Sequence, residues 1–187
     1  LTDYPVGVID NGVGMAAGMQ GKILQVFDYR AEYRKIENSF IPGYFGPFYD
    51  AERSYKGNIL PPVGTPSTVK EGPLAAGALN LLNLVRFSVT YEDFINDPYN
   101  LYPYMHAELT VDPALFKGKF IFTAKYDKRD IKDWNDLVNV RGQNTLISTE
   151  MGYPVSDSIF LIVINRQTFD VNGNPTNTTS LETRIKF

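Results

Sequence analysis

With 187 residues, 43% of them hydrophobic and 21% charged, the chain is long enough for one domain with a buried core and too apolar for a disordered segment. A net charge of −3 gives no electrostatic reason to expect a nucleic-acid groove, which needs clustered Lys and Arg. The absence of cysteine excludes disulfides, thiolate metal sites and a Cys nucleophile, and no apolar run approaches the roughly 20 residues of a membrane-spanning helix.

The chain opens at Leu1 without a signal-peptide pattern, which suggests a processed or trimmed product. Residues 1–22 are glycine-rich. Within them "VGVI" leads into "DNGVGM", Asp10 to Met15. This stretch resembles the adenine-contacting Asp-x-Gly-x-Gly box of the GHKL ATPases. The resemblance implies that Asp10 meets the adenine amino group and that the glycines let the backbone approach the nucleotide. That family also carries a helix with a Glu and a magnesium-binding Asn well upstream, and only nine residues precede Asp10. Gly12, Gly14 and Ala17 also match the G-x-G-x-x-A spacing that seats a pyrophosphate at a helix N-terminus. The helix that should follow contains Gly18 and Gly21, each costing about 1 kcal/mol relative to Ala. A glycine-rich segment tracking over the surface is the expectation, with no cofactor.

"FDYRAEYR", residues 27–34, alternates Phe27, Tyr29, Ala31 and Tyr33 with Asp28, Arg30, Glu32 and Arg34. A helix would set Asp28 against Glu32 and Arg30 against Arg34 at repulsive spacing, so the segment reads as a strand. Residues 40–73 bring Gly and Pro every few positions, interleaved with Tyr44, Phe45, Phe48, Tyr49 and Tyr55. So long a connection is often functional, and it reads either as an aromatic lid or as a contact loop. "PLAAGALNLL", near residues 74–82, is a weak helix candidate.

Alternation returns in "RFSVTYED", "MHAELTVD" and "KFIFTAKYD", three further strands. "DKRDIKDWNDLV" is the one plausible helix, with Ile131, Trp134, Leu137 and Val138 on one side. "SIFLIVINRQTF" is apolar on both faces through its middle, as a strand covered on both sides would be. Asn172-Gly173 marks a hairpin. "SLETRIKF" closes the chain with Leu181, Thr183, Ile185 and Phe187 facing inward.

Catalytic signals are nearly absent. His106 is the only histidine, which excludes a His-based triad or a multi-His metal site within the chain. With Glu108 and Asp112 it could bind a metal weakly, but a solvated polar strand face explains all three. No particular carboxylate pair suggests glycoside hydrolysis, and no calcium-loop order is present. Asn177-Thr178-Thr179 is a glycosylation sequon, relevant only in a eukaryotic secretory pathway.

These features predict an all-β protein with at most one or two short helices. The expected form is one domain, residues 1–187, folded as an antiparallel two-sheet β-sandwich of jelly-roll type with long Gly/Pro/aromatic loops, with a closed barrel as the alternative. The functional expectation is a non-enzymatic assembly subunit, most like a virion capsid, penton or spike protein. Its partners would be copies of itself and other structural proteins. Tyr44, Phe45, Phe48, Tyr49, Tyr55 and Trp134 are the candidate contacts. No basic arm is present, so no packaged nucleic acid is expected against it. The alternative is a secreted or surface-anchored glycan-binding module using the same aromatic rings.

Overall fold

Period-two alternation recurs along this chain, and among the described residues it is realised as strands. The structure is a computed structural model describing residues 13–37, 47–48, 69–97, 101–156 and 158–185. Nine strands follow one another: β1 (Val13–Ile23), β2 (Phe27–Glu37), β3 (Lys70–Leu81), β4 (Val85–Glu92), β5 (Tyr104–Val111), β6 (Ile121–Lys128), β7 (Thr145–Pro154), β8 (Ile159–Phe169) and β9 (Pro175–Ile185). Each pairs antiparallel with the next, so spatial order is chain order. The all-β antiparallel expectation is met. The second sheet of a sandwich is not found among the described residues: all nine strands share one ladder.

Among the described residues helix is confined to two short pieces, in keeping with the expected one or two. A 3₁₀ turn spans Pro113–Phe116, and α1 covers only Trp134–Val138 of the expected helix, because Asp127 and Lys128 belong to β6. The Ala- and Leu-rich stretch at 74–82 is not a helix. It lies in β3, paired on both sides by β2 and β4, and that pairing overrides its helix propensity. β1 likewise absorbs Gly14, Ala17 and Gly18, so the segment expected to track loosely over the surface is a paired strand from Val13 onward. At Gly21 a Cβ would fall 2.7 Å from the Tyr29 hydroxyl, so only glycine leaves this ring room to lie across β1.

The register sorts the side chains cleanly. One face carries Met15, Met19 and Ile23 of β1, Phe27 and Tyr33 of β2, Phe87 and Tyr91 of β4, Leu109 of β5, Phe122 of β6, Met151 of β7, Val163 of β8 and Leu181 of β9. The other carries Asp28, Arg30, Glu32, Arg34, Arg86, Glu92, His106, Glu108, Lys125, Asp127, Glu150, Arg166 and Arg184. The apolar face is the open one: Met19 is 67% exposed, Phe87 47%, Met151 56% and Leu181 64%. Leu181 and Ile185 were expected to face inward and do not. β8 is likewise covered on one side only, with Ile162 and Ile164 buried while Leu161 and Val163 are exposed on the opposite face.

On the polar face the carboxylates are covered by their ion pairs, with Glu32 and Glu150 each 15% exposed and Glu92 11%, while Arg30, Arg86 and Arg184 stay about half exposed. Two apolar clusters sit on this side. Ile36, Leu74 and Phe94 are buried near the end of β2, with Phe94 meeting Tyr102 edge-on at 4.6 Å. Leu146, Ile162 and Ile164 are buried at β7 and β8. Each such side chain stabilises the fold by roughly 1.5–3 kcal/mol.

The apolar band crosses the ladder obliquely. The row that begins at Ile23 runs through Phe27, Leu79, Phe87, Leu109 and Ala124, then turns polar at Thr149, Asn165 and Thr179. By β9 the apolar band spans Leu181 to Ile185, while in β1 it spans Val13 to Ile23. Its edges among the described residues have therefore slipped by six and twelve residues across eight strand-to-strand steps. That is about one residue per strand. With a rise of ~3.3 Å per residue and a spacing of ~4.8 Å, the strands lean by about 35° from the normal to the band.

The connections are also sorted. Residues 24–26, 82–84, 112–120 and 155–158 join strands at one end, and 38–69, 93–103, 129–144 and 170–174 at the other. The first set is short and the second mostly long.

Candidate functional site: the charged face of the sheet

Strand alternation projects one charged or polar side chain every second residue onto the polar face. Antiparallel neighbours then bring opposite charges within reach. Asp28 of β2 meets Lys22 of β1 at 3.3 Å and Arg86 of β4 at 2.8 Å, and accepts from Asn80 at 2.9 Å. Arg86 reaches across β3 because that strand presents Ala76 and Ala78 to the same face. The same small side chains open a groove of about 640 Å³, lined by Gln20, Lys22, Asp28, Arg30, Arg86 and Thr90 among others.

Further along β2, Glu32 accepts from Arg30 and, at 3.0 Å, from Arg34, which also pairs with Glu92 of β4. On β5 and β6, Asp127 Oδ1 accepts from the Tyr104 hydroxyl at 2.5 Å and lies 2.7 Å from His106 Nδ1. Asp127 is fully buried, and its Oδ2 has no hydrogen-bond partner among the described residues. Lys125 of β6 and Arg184 of β9 both reach Glu150 of β7, at 2.8 and 3.2 Å. Polar contacts thus tie strands from β1 to β9 along this face. Outside the strands, burial pushes the Tyr102 phenol well above its usual range beside the cluster at the end of β2.

What this face offers chemically is a water-compatible wall carrying both signs of charge. Among the described residues no group of three metal-ligating side chains occurs. His106 and Glu108 do approach, at 3.6 Å, but Asp112 turns away and caps the 3₁₀ turn by accepting from Ala114 N at 2.8 Å. His106 is also not on a freely solvated face: it is half-buried against Asp127.

Of the sequence-predicted contact residues, Tyr44, Phe45, Tyr49 and Tyr55 lie outside the described residues, as do Asp10 and Gly12. Phe48 is a buried ring with the Arg129 guanidinium 4.4 Å from its centroid. Trp134 stands on α1, 74% exposed. The ion-paired face was missed because its residues read singly as ordinary solvated strand positions; the signal was their recurrence in five alternating segments. Comparison with protein-family models, curated proteins and solved structures returned no match.

Proposed function

We propose that this sheet forms wall of a membrane-spanning β-barrel, its apolar face toward lipid and its charged face toward water. The observation that carries the reading is the inverted polarity: large apolar side chains are exposed on one face in seven of the nine strands and half-buried in β5 and β6, while the carboxylates Glu32, Glu92 and Glu150 are enclosed on the other. A water-soluble antiparallel sheet does the reverse. Exposed apolar side chains recur on this face in β1 to β4 and again in β7 to β9, and contiguous exposed apolar surface marks an interaction or membrane surface.

Two features support the same reading independently. The slip of the apolar band matches the strand tilt of about 35–45° found in such barrels. The segregation of short and long connections to opposite ends is also their habit. Among the described residues no helix is long and apolar enough to cross a membrane. The charged face, with its groove between β1 and β4, would bind or pass small polar solutes of either sign.

Polarised infrared spectroscopy of the protein in oriented phosphatidylcholine bilayers tests this. The expected result is an amide I signal for strands tilted about 35–45° from the bilayer normal. A protein that stays monodisperse in buffer without detergent and ignores the bilayers overturns it.

The assembly-subunit reading, including a two-sheet sandwich of virion type, has one observation in its favour. Among the described residues β1 and β9 are each paired on one side only, and open edges suit strand addition between copies. It would require a second layer over the apolar face. Discrete oligomers in lipid-free buffer would support it.

A further inference from the structure

The segment between β6 and β7 is placed unusually for a loop. Tyr126 and Lys128 belong to the apolar face, in register with Ala107 and Met105, and both hold α1. The Tyr126 hydroxyl donates to the Leu137 carbonyl at 3.3 Å. Lys128, fully buried, donates to the Asn139 carbonyl at 2.9 Å and pairs with Asp136 at 2.8 Å. Asp133 caps the helix by accepting from Asp136 N at 2.8 Å. The short helix is thus bolted over the apolar side of the sheet, at the edge where the apolar band of β6 ends.

Its outward surface is Trp134, 74% exposed, with Val138 at 59% and Val140 at 50%. Trp is highly buried on average, so one left this open beside two exposed valines needs a covering. Arg141 and Lys132, the latter paired with Asp130, flank these residues and are exposed. Apolar rings and methyls with adjacent cations, continuous with the apolar band at its rim, suit the boundary between lipid chains and headgroups.

We propose that α1 and its flanks anchor the sheet at the membrane boundary, with Trp134, Val138 and Val140 seated in the lipid headgroup layer. The proposal rests on the barrel-wall reading, and the two are separable because Trp134 is the only tryptophan in the chain.

The experiment places the protein in phosphatidylcholine vesicles whose lipids carry a nitroxide either on the headgroup or at mid-chain. Trp134 emission is expected to be blue-shifted, quenched several-fold more by the headgroup label than by the mid-chain label, and shielded from aqueous acrylamide. A control carries Phe87→Trp in a Trp134→Phe background, with Leu109→Trp as a second position should the first misfold. The control is expected to respond chiefly to the mid-chain label. Acrylamide quenching of Trp134 with a lipid-quenched control overturns the anchor and leaves the wall standing. Lipid quenching at neither position overturns both.

Discussion

Along β4 the same eight residues build two different surfaces. Val85, Phe87, Val89 and Tyr91 form one, and Arg86, Ser88, Thr90 and Glu92 the other. In a water-soluble sheet the first set would be buried and the second washed. Here Phe87 is 47% exposed and the Glu92 side chain 11%. Backbone, strand and pairing are common to both, so the contrast lies in what each face meets. Charges gathered on the polar side neutralise one another over short distances, as Arg34 does for Glu32 and Glu92. Among the described residues the apolar side has no comparable partner, and lipid is the covering proposed for it.

The sharpest way to break this comparison is to exchange the faces by one residue. Phe87→Arg should destabilise the protein in lipid vesicles by about 2–4 kcal/mol, the range for a cation on the lipid face near mid-depth. Ser88→Arg, one residue along on the charged face, should change stability far less. Urea unfolding in vesicles measures both; equal costs would remove the distinction on which the reading stands.

On the charged face, the largest single effect is expected at Asp127. Removing its carboxylate by Asp127→Ala leaves Tyr104 and His106 without their shared acceptor. A hydrogen bond to a charged group contributes about 1.5–3 kcal/mol, and the loss should appear in the urea midpoint. An unchanged midpoint would show that the enclosed polar network is hydrated and loose.

A smaller effect is expected at the helix mount. Asp136 experiences burial, which alone would raise its pKa, but Lys128 and the Lys132 amide hold it below the usual carboxylate value of 3.8. A depressed folded-state pKa means stability that is present above the unfolded pKa of ~3.9 and is lost as pH falls through the lower folded value. Acid should therefore release α1 before the strands open. Asp136→Asn should cost about 1–2 kcal/mol at neutral pH, discounted for partial exposure, and abolish that acid step. Trp134 emission followed against pH reads both outcomes.

Strand identity was legible wherever charges alternated with apolar residues. Asp28, Arg30, Glu32 and Arg34 are incompatible with a helix, and β2, β4, β5 and β6 follow from that kind of pattern. β1 and β3 were hidden by Gly and Ala, which carry little periodicity, and β7 by Thr145, Ser148 and Thr149, small polar residues that fall on both faces. More instructive is the assignment of faces. Alternation divides residues into two sets but is symmetric with respect to which set meets water. The expectation of two packed sheets took the apolar rows to be covered by protein, whereas the described strands form a single sheet with much of that face exposed.

The last comparison concerns a position that should be indifferent to lipid. In the β8–β9 turn, Asp170 accepts from Asn172 N at 2.8 Å, Asn174 N at 2.9 Å and the Asn174 side chain at 2.8 Å, while Gly173 N donates to the Asp170 carbonyl at 3.0 Å. Closing the turn this way holds Gly173 at φ 77°, in the left-handed region. Gly173→Ala should therefore cost about 1 kcal/mol, the penalty of placing a Cβ there. Because the strain is local to the backbone, the cost should be the same in detergent micelles and in vesicles of different thickness. The cost of Phe87→Arg should instead vary with the depth at which the bilayer places that side chain. If the two variants responded alike to bilayer thickness, exposure of the apolar face would have to be explained by something other than lipid.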